Sequence, residues 1–124
     1  MTLTFLGHVE LAAGDVSLAQ ALLSESVMIF RAIANLLYLP WAVEGLVGVA
    51  ASKEEWERAA RLCGARKGLS ETLGLLVLSA YPAGYARTLQ NVREALGEER
   101  FAEAYAIGER LSVEEMFAEV LAAM

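Results

Sequence analysis

From Val16 onward the apolar residues return at every third or fourth position: Val16, Ala19, Leu23, Val27, Phe30, Ala34 and Leu37 make one stripe along a single segment. That is the period of an α-helix with a face turned to a core. A second series, Leu18, Leu22, Ile29, Ile33 and Leu36, runs beside the first, so this helix is expected to have neighbours on two sides. The pattern is clearest near the end, where Val113, Met116, Phe117, Val120, Leu121 and Met124 keep helical spacing. Ser112 and Glu115 make a capping box in front of it, the hydroxyl accepting from an early backbone N–H while the carboxylate reaches back. The same pair of residue types at Ser52 and Glu55 predicts a helix beginning near Lys53. Gly14 and Gly97 fall just after helical runs, where a residue of positive φ closes a last turn. The two prolines, Pro40 and Pro82, stand where helices can begin, because the first turn does not use their missing N–H.

These signals predict seven helices, at about 2–13, 15–37, 40–51, 53–72, 82–96, 98–110 and 113–123. The run from Leu73 to Ala80, with Leu75, Leu76, Val77 and Leu78 together, is the most strand-like. A lone strand has nothing to pair with, so this run is read as a buried loop or helix extension. The expected fold class is all-α, in one domain over residues 1–124.

Self-similarity sharpens the architecture. Leu6-Gly7, then Gly14-Asp15, then Ala19 with Leu23 follow the tetratricopeptide order of Leu-Gly, a turn glycine, a small residue and a large one four later. A second copy runs from Glu54 to Ala59 through Trp56, and a third from Glu98 to Ala104 through Phe101. The key alanines Ala19, Ala59 and Ala104 are 40 and 45 residues apart, longer than the usual period of about 34. The copies are degenerate, with Leu46-Val47 at the Leu-Gly position of the second and Glu10 at the aromatic position of the first. A tetratricopeptide-like stack of antiparallel helical hairpins is the expected arrangement.

The chain resembles the C-terminal helical-repeat region of large bacterial transcriptional regulators, the LuxR-type and related ATPase-containing kinds. The residues that carry the resemblance are Leu6-Gly7 with Gly14-Asp15, the run Glu44 to Ala51, the run Glu57 to Ala65, the run Arg93 to Glu99, Phe101, Gly108, and Leu111 to Glu115. The resemblance implies a scaffold for partner or effector recognition, with ATP hydrolysis and DNA binding lodged in other domains. Consistent with this, the nearest candidate for a phosphate-binding loop, Gly64 to Gly68, has the wrong spacing and lacks the following Lys-Ser.

Composition narrows the functions. The chain is 56 % hydrophobic with a mean hydropathy of +0.43, so surplus apolar area needs burial in a core or a self-association surface. The densest apolar run, Leu36 to Ala51, is interrupted by Pro40 and carries Glu44, and it is shorter than the roughly 20 residues a membrane helix requires. Without a signal-peptide pattern at Met1 to Glu10, a cytoplasmic location is expected. The net charge of −6 opposes direct nucleic-acid binding. His8 is the only histidine and has no nucleophile at a suggestive spacing; we read it as partly exposed or at the core edge. Cys63 is read as a small apolar filler, with a reactive thiol as the alternative because Arg61, Arg66 and Lys67 are near in sequence. The glutamate clusters suit solvated helix N-termini, with Glu54–Arg58 and Glu57–Arg61 as i, i+4 pairs. No catalytic set, no metal site and no cofactor is expected. The remaining classes are a protein-interaction or self-assembly module, partnered first of all by a second copy, and a small-molecule sensor with a pocket lined by Tyr38, Trp41 and Tyr85. For the former the candidate surface is Tyr38, Trp41 and Glu44, at the start of the helix near Pro40, because aromatic side chains are enriched among interface hot spots. The alternative for Trp41 and Tyr38 is that they staple a hairpin corner.

Overall fold

A computed structural model of the chain describes residues 2–32, 39–73 and 82–121. Among them the chain is all-α: α1 (Thr2–Ala12), α2 (Val16–Ala32), α3 (Leu39–Ser52), α4 (Trp56–Leu73), α5 (Pro82–Leu96), α6 (Glu98–Glu109) and α7 (Val113–Leu121). The class and number of helices are those expected. Of the strand-like run, Leu73 closes α4 and residues 74–80 lie outside the described ones.

From α1 to α6 successive helices pack on one another, and α1, α3 and α5 also touch in series. On the other side α4 packs on α6 more extensively than any other two helices meet. Small residues permit this. A Cβ on Gly64 would overlap the carbonyl oxygen of Tyr105, and one on Gly108 would overlap the carbonyl of Arg61, so the two backbones touch directly. Around this seam Ala59, Ala60, Leu62, Phe101 and Ala104 are buried. α3 is the other centre of the core: Leu39, Ala42, Val43, Leu46, Val47, Val49 and Ala50 are all buried, because α1, α2, α4 and α5 all lie against it.

The first stripe of α2 is buried as expected at Ala19, Leu23 and Val27, but Leu18 in the second is 43 % exposed, so α2 has a core on one side only at that point. In α7, Met116, Phe117 and Val120 are buried. This helix packs on α2 and α4 instead of stacking as an end cap on α6. Glu119 ties it down, accepting from Arg61 Nη2 at 2.9 Å and from Arg58 Nη1 at 3.3 Å.

That tie corrects the expected charge pairs. Arg58 and Arg61 reach across to α7, and Glu57 pairs with Arg100 of α6, because a fixed partner on a packed neighbour competes with a flexible i, i+4 one. The Ser112–Glu115 capping box forms as expected, with Ser112 N–H donating to Glu115 at 2.9 Å and Glu115 N–H to the Ser112 hydroxyl at 3.1 Å. These bonds hold the Glu115 carboxyl below its ordinary pKa. Ser52–Glu55 does not form a box. Ser52 ends α3, and the chain closes with Glu54 N–H on Ala51 O and Glu55 N–H on Ala50 O, a Schellman turn. Its left-handed residue is Glu54, with φ 60°, and α4 begins only at Trp56. Gly14 at φ 92° serves the matching turn after α1, and Gly97 at φ 82° the corner after α5.

Two outcomes follow. Gly108→Ala should force α6 off α4 and lower stability by about 2 to 3 kcal/mol, read by chemical denaturation. Glu54→Gly should raise stability by about 0.5 to 1 kcal/mol, because a left-handed conformation strains any residue with a Cβ and the added backbone entropy of glycine offsets only part of that relief. A melting temperature lowered by Glu54→Gly would contradict the turn.

Candidate functional site

Because α1, α3 and α5 lie in series, their facing side chains enclose a groove of about 240 Å³. His8, Leu11 and Ala12 come from α1, Glu44, Gly48 and Ser52 from α3, and Gly84, Tyr85, Arg87, Thr88 and Asn91 from α5. On each helix these residues recur at steps of three or four, so each element presents one stripe to the same space. Half-buried His8 is oriented by its Nε2, which lies 2.9 Å from the carbonyl oxygen of Trp41. The Thr88 hydroxyl donates to Gly84 O at 3.0 Å.

Of the residues the sequence nominated, Tyr38 lies outside the described ones. Trp41 is half-buried beside the groove and meets His8 through its backbone. Glu44 was expected to offer a surface charge, and the structure corrects this. It is 3 % exposed, at the floor of the groove, and pairs with Arg66 of α4 at 3.9 Å. The helix that carries it is enclosed on several sides, so a glutamate in its middle turns inward and is compensated. Of the three residues named for the sensor pocket, Tyr85 lines the groove and Trp41 does not. His8, Arg87, Thr88 and Asn91 were not singled out as binding residues, and only the helical spacing Gly84, Thr88, Asn91 hinted at a shared face.

Behind the groove the Arg66 guanidinium lies 5.0 Å from the Tyr85 ring centre, and Tyr85 hydrogen-bonds to Cys63. Burial pushes the Cys63 thiol up to about 11, although Tyr85 and the charges of Arg66 and Arg93 pull the other way. Burial and the neighbouring Cys63 also raise the Tyr85 hydroxyl. The thiol is therefore protonated near neutrality and is a core group, as the filler reading required; a reactive thiolate needs a depressed pKa and access. Among the described residues no cluster of His, Cys, Asp and Glu could hold a metal ion, and no helix is long and apolar enough to cross a membrane.

Over 80 residues, 64 % of this chain, the sequence is 34 % identical to predicted HTH-type transcriptional regulators of Mycobacterium bovis and of two Mycobacterium tuberculosis strains. The matched stretch is 9 % of the length of each. No family model matches the chain, and no solved structure matches it.

The thiol yields a pH dependence. Its folded pKa of about 11 lies above the ordinary 9.0, so its contribution is intact below pH 9 and is lost as pH rises toward 11. Stability should fall across pH 9 to 11, and Cys63→Ala should make that fall shallower. An identical slope in the variant, measured by urea denaturation at each pH, would show that the thiol is not the titrating group.

Proposed function

We propose that this chain is a non-catalytic helical scaffold within a transcriptional-regulator-like protein, arranged as a tetratricopeptide-like stack. It holds a polar protein segment in the α1–α3–α5 groove and associates with a second copy through the outer face of α1 and α2. The observation that carries the reading is where exposed apolar area falls. Among the described residues the exposed large hydrophobics are Leu6, Val9, Leu18, Met28 and Ile107, and all but Ile107 stand on the first hairpin. Leu6 and Val9 share one face of α1, while Leu18, Ala21, Glu25 and Met28 share one face of α2, all exposed. A terminal hairpin of a repeat stack needs either a polar outer face or a cover, and this face has only Glu25 as a charge among those six residues.

The groove supports the recognition half. Its lining mixes His8, Glu44, Arg87 and Asn91 with small residues, a surface suited to the polar backbone and side chains of an extended segment. The regulators it resembles supply the context, and the same likeness favours scaffold over enzyme. Engagement of His8 with a backbone carbonyl and burial of Cys63 point the same way.

Light scattering behind size exclusion tests the association. The parent chain should weigh more than one 13.4 kDa subunit at micromolar concentration. Val9→Glu with Leu18→Glu should return it to a monomer while stability stays within about 1 kcal/mol, as for exposed substitutions. A parent that is monomeric at every concentration would refute self-association.

A further inference from the structure

Of the described helices α7 is the least extensively packed. It has nine residues, and a helix shorter than about 12 residues is marginal by itself in water, so its form depends on the seat beneath it. α4 supplies one side of that seat as a single stripe, Arg58, Arg61, Ala65, Leu69 and Thr72, at steps of three and four. Arg58 and Arg61 meet Glu119 near the end of α7, while Ala65, Leu69 and Thr72 face Leu111, Val113 and Met116 at its start. The two helices therefore run antiparallel. An opening of about 190 Å³ lies at that start, among the latter six residues and Ser112. At a rise of roughly 1.5 Å per residue the stripe is about 21 Å long and α7 about 13 Å. The helix is shorter than its seat and leaves one end of it underfilled.

The hold on α7 is ionic at one end and apolar along the rest. Glu119 accepts from both arginines, and the three side chains are partly exposed, so salt weakens the pairing. Met116, Phe117 and Val120 are buried. A rival helix with the same carboxylate and apolar residues, but long enough to run the whole stripe, would gain the same ion pairs and bury more apolar area. We propose that the α2–α4 face is a docking site for an amphipathic helix of a protein partner, and that α7 occupies it in cis until that helix displaces it. The partner helix has apolar residues at the spacing of Met116, Phe117 and Val120, a carboxylate in register with Glu119, and a length of at least about 14 residues to reach Thr72. Apolar anchors one turn apart are how a helix is read in a groove, and two guanidiniums at one end of the seat select the carboxylate. The face is apart from the groove and from the large cavity between α4, α5 and α6. It is apart also from Leu18, Ala21 and Met28 of α2, which stay exposed with α7 in place.

The test uses the full chain and two fluorescein-labelled peptides, residues 112–124 as they stand and the same peptide with Glu119→Arg. In the chain, Glu119→Arg sets a third cation beside Arg58 and Arg61 and loosens α7. By fluorescence anisotropy this variant should bind the unaltered peptide at least about tenfold more tightly than the parent chain does, because the competing occupant is weakened. It should prefer that peptide to the altered one, and Arg58→Glu with Arg61→Glu should reverse the preference. In the parent, amide hydrogen exchange should be at least about tenfold faster in α7 than in α4 and α6, since a displaceable helix opens first. Amides of α7 as protected as those of α4, equal affinity for the two peptides, or no peptide bound by a variant whose α7 exchanges freely would each overturn the proposal. If Glu119→Arg fails to fold, the exchange of the parent decides. A Val9→Glu, Leu18→Glu chain that stays dimeric and becomes monomeric only when Glu119→Arg is added would also overturn it, because α7 would then be traded between copies.

Discussion

The direct contact of α4 and α6 backbones at Gly64 and Gly108 is the constraint on which the rest of the molecule depends. Interiors are packed at crystal-like density, so a pair of helices whose backbones touch fixes its own register and the placement of whatever each carries. α4 carries Cys63, Arg66 and Lys67 on the side of the large cavity, and α6 carries Phe101, Tyr105 and Glu109 to meet them. The same α4 holds Arg58 and Arg61, to which Glu119 binds α7. Moving α6 outward by the width of one methyl group would separate Lys67 from Glu109, now 3.2 Å apart, and open the cavity.

Local signals in this chain were legible, and tertiary ones were not. Helix number, the two positive-φ glycines and the Ser112–Glu115 box depend on residues within a few positions of one another, so the sequence displays them. Ser52–Glu55 shows the limit of that logic. Ser-x-x-Glu suits a helix start, yet here it overlies a helix end, because the turn needs a left-handed residue and Glu54 takes that conformation. Nothing in a glutamate announces this. Likewise Arg58 and Arg61 carry no mark of preferring Glu119, some sixty positions away, to a glutamate four positions before them.

Two positions singled out in the first copy of the expected repeat do meet in space. Leu23 is fully buried and lies against both Gly7 and Gly45, where any Cβ would strike it; the Leu-Gly and large-residue positions of the first copy are thus two halves of one packing contact. The site was harder. Glu44 attracted notice as a charge in an apolar run, and that signal was sound, but it marks burial with a partner as readily as exposure. Its partner Arg66 belongs to the next helix, and only the packing of α3 on α4 joins them.

That pair also relates the groove to the second cavity, of about 770 Å³, between α4, α5 and α6. Glu44 lines the groove, Arg66 lines the cavity, and Tyr85 lines both. Charges so buried are weakly screened, and removing the compensation of either one is costly. Linkage makes any coupling across them reciprocal: if an occupant of the cavity changes the affinity of the groove by some factor, an occupant of the groove changes the affinity of the cavity by the same factor. The wall of Glu44, Arg66 and Tyr85 is therefore the physical element through which the two spaces would sense one another.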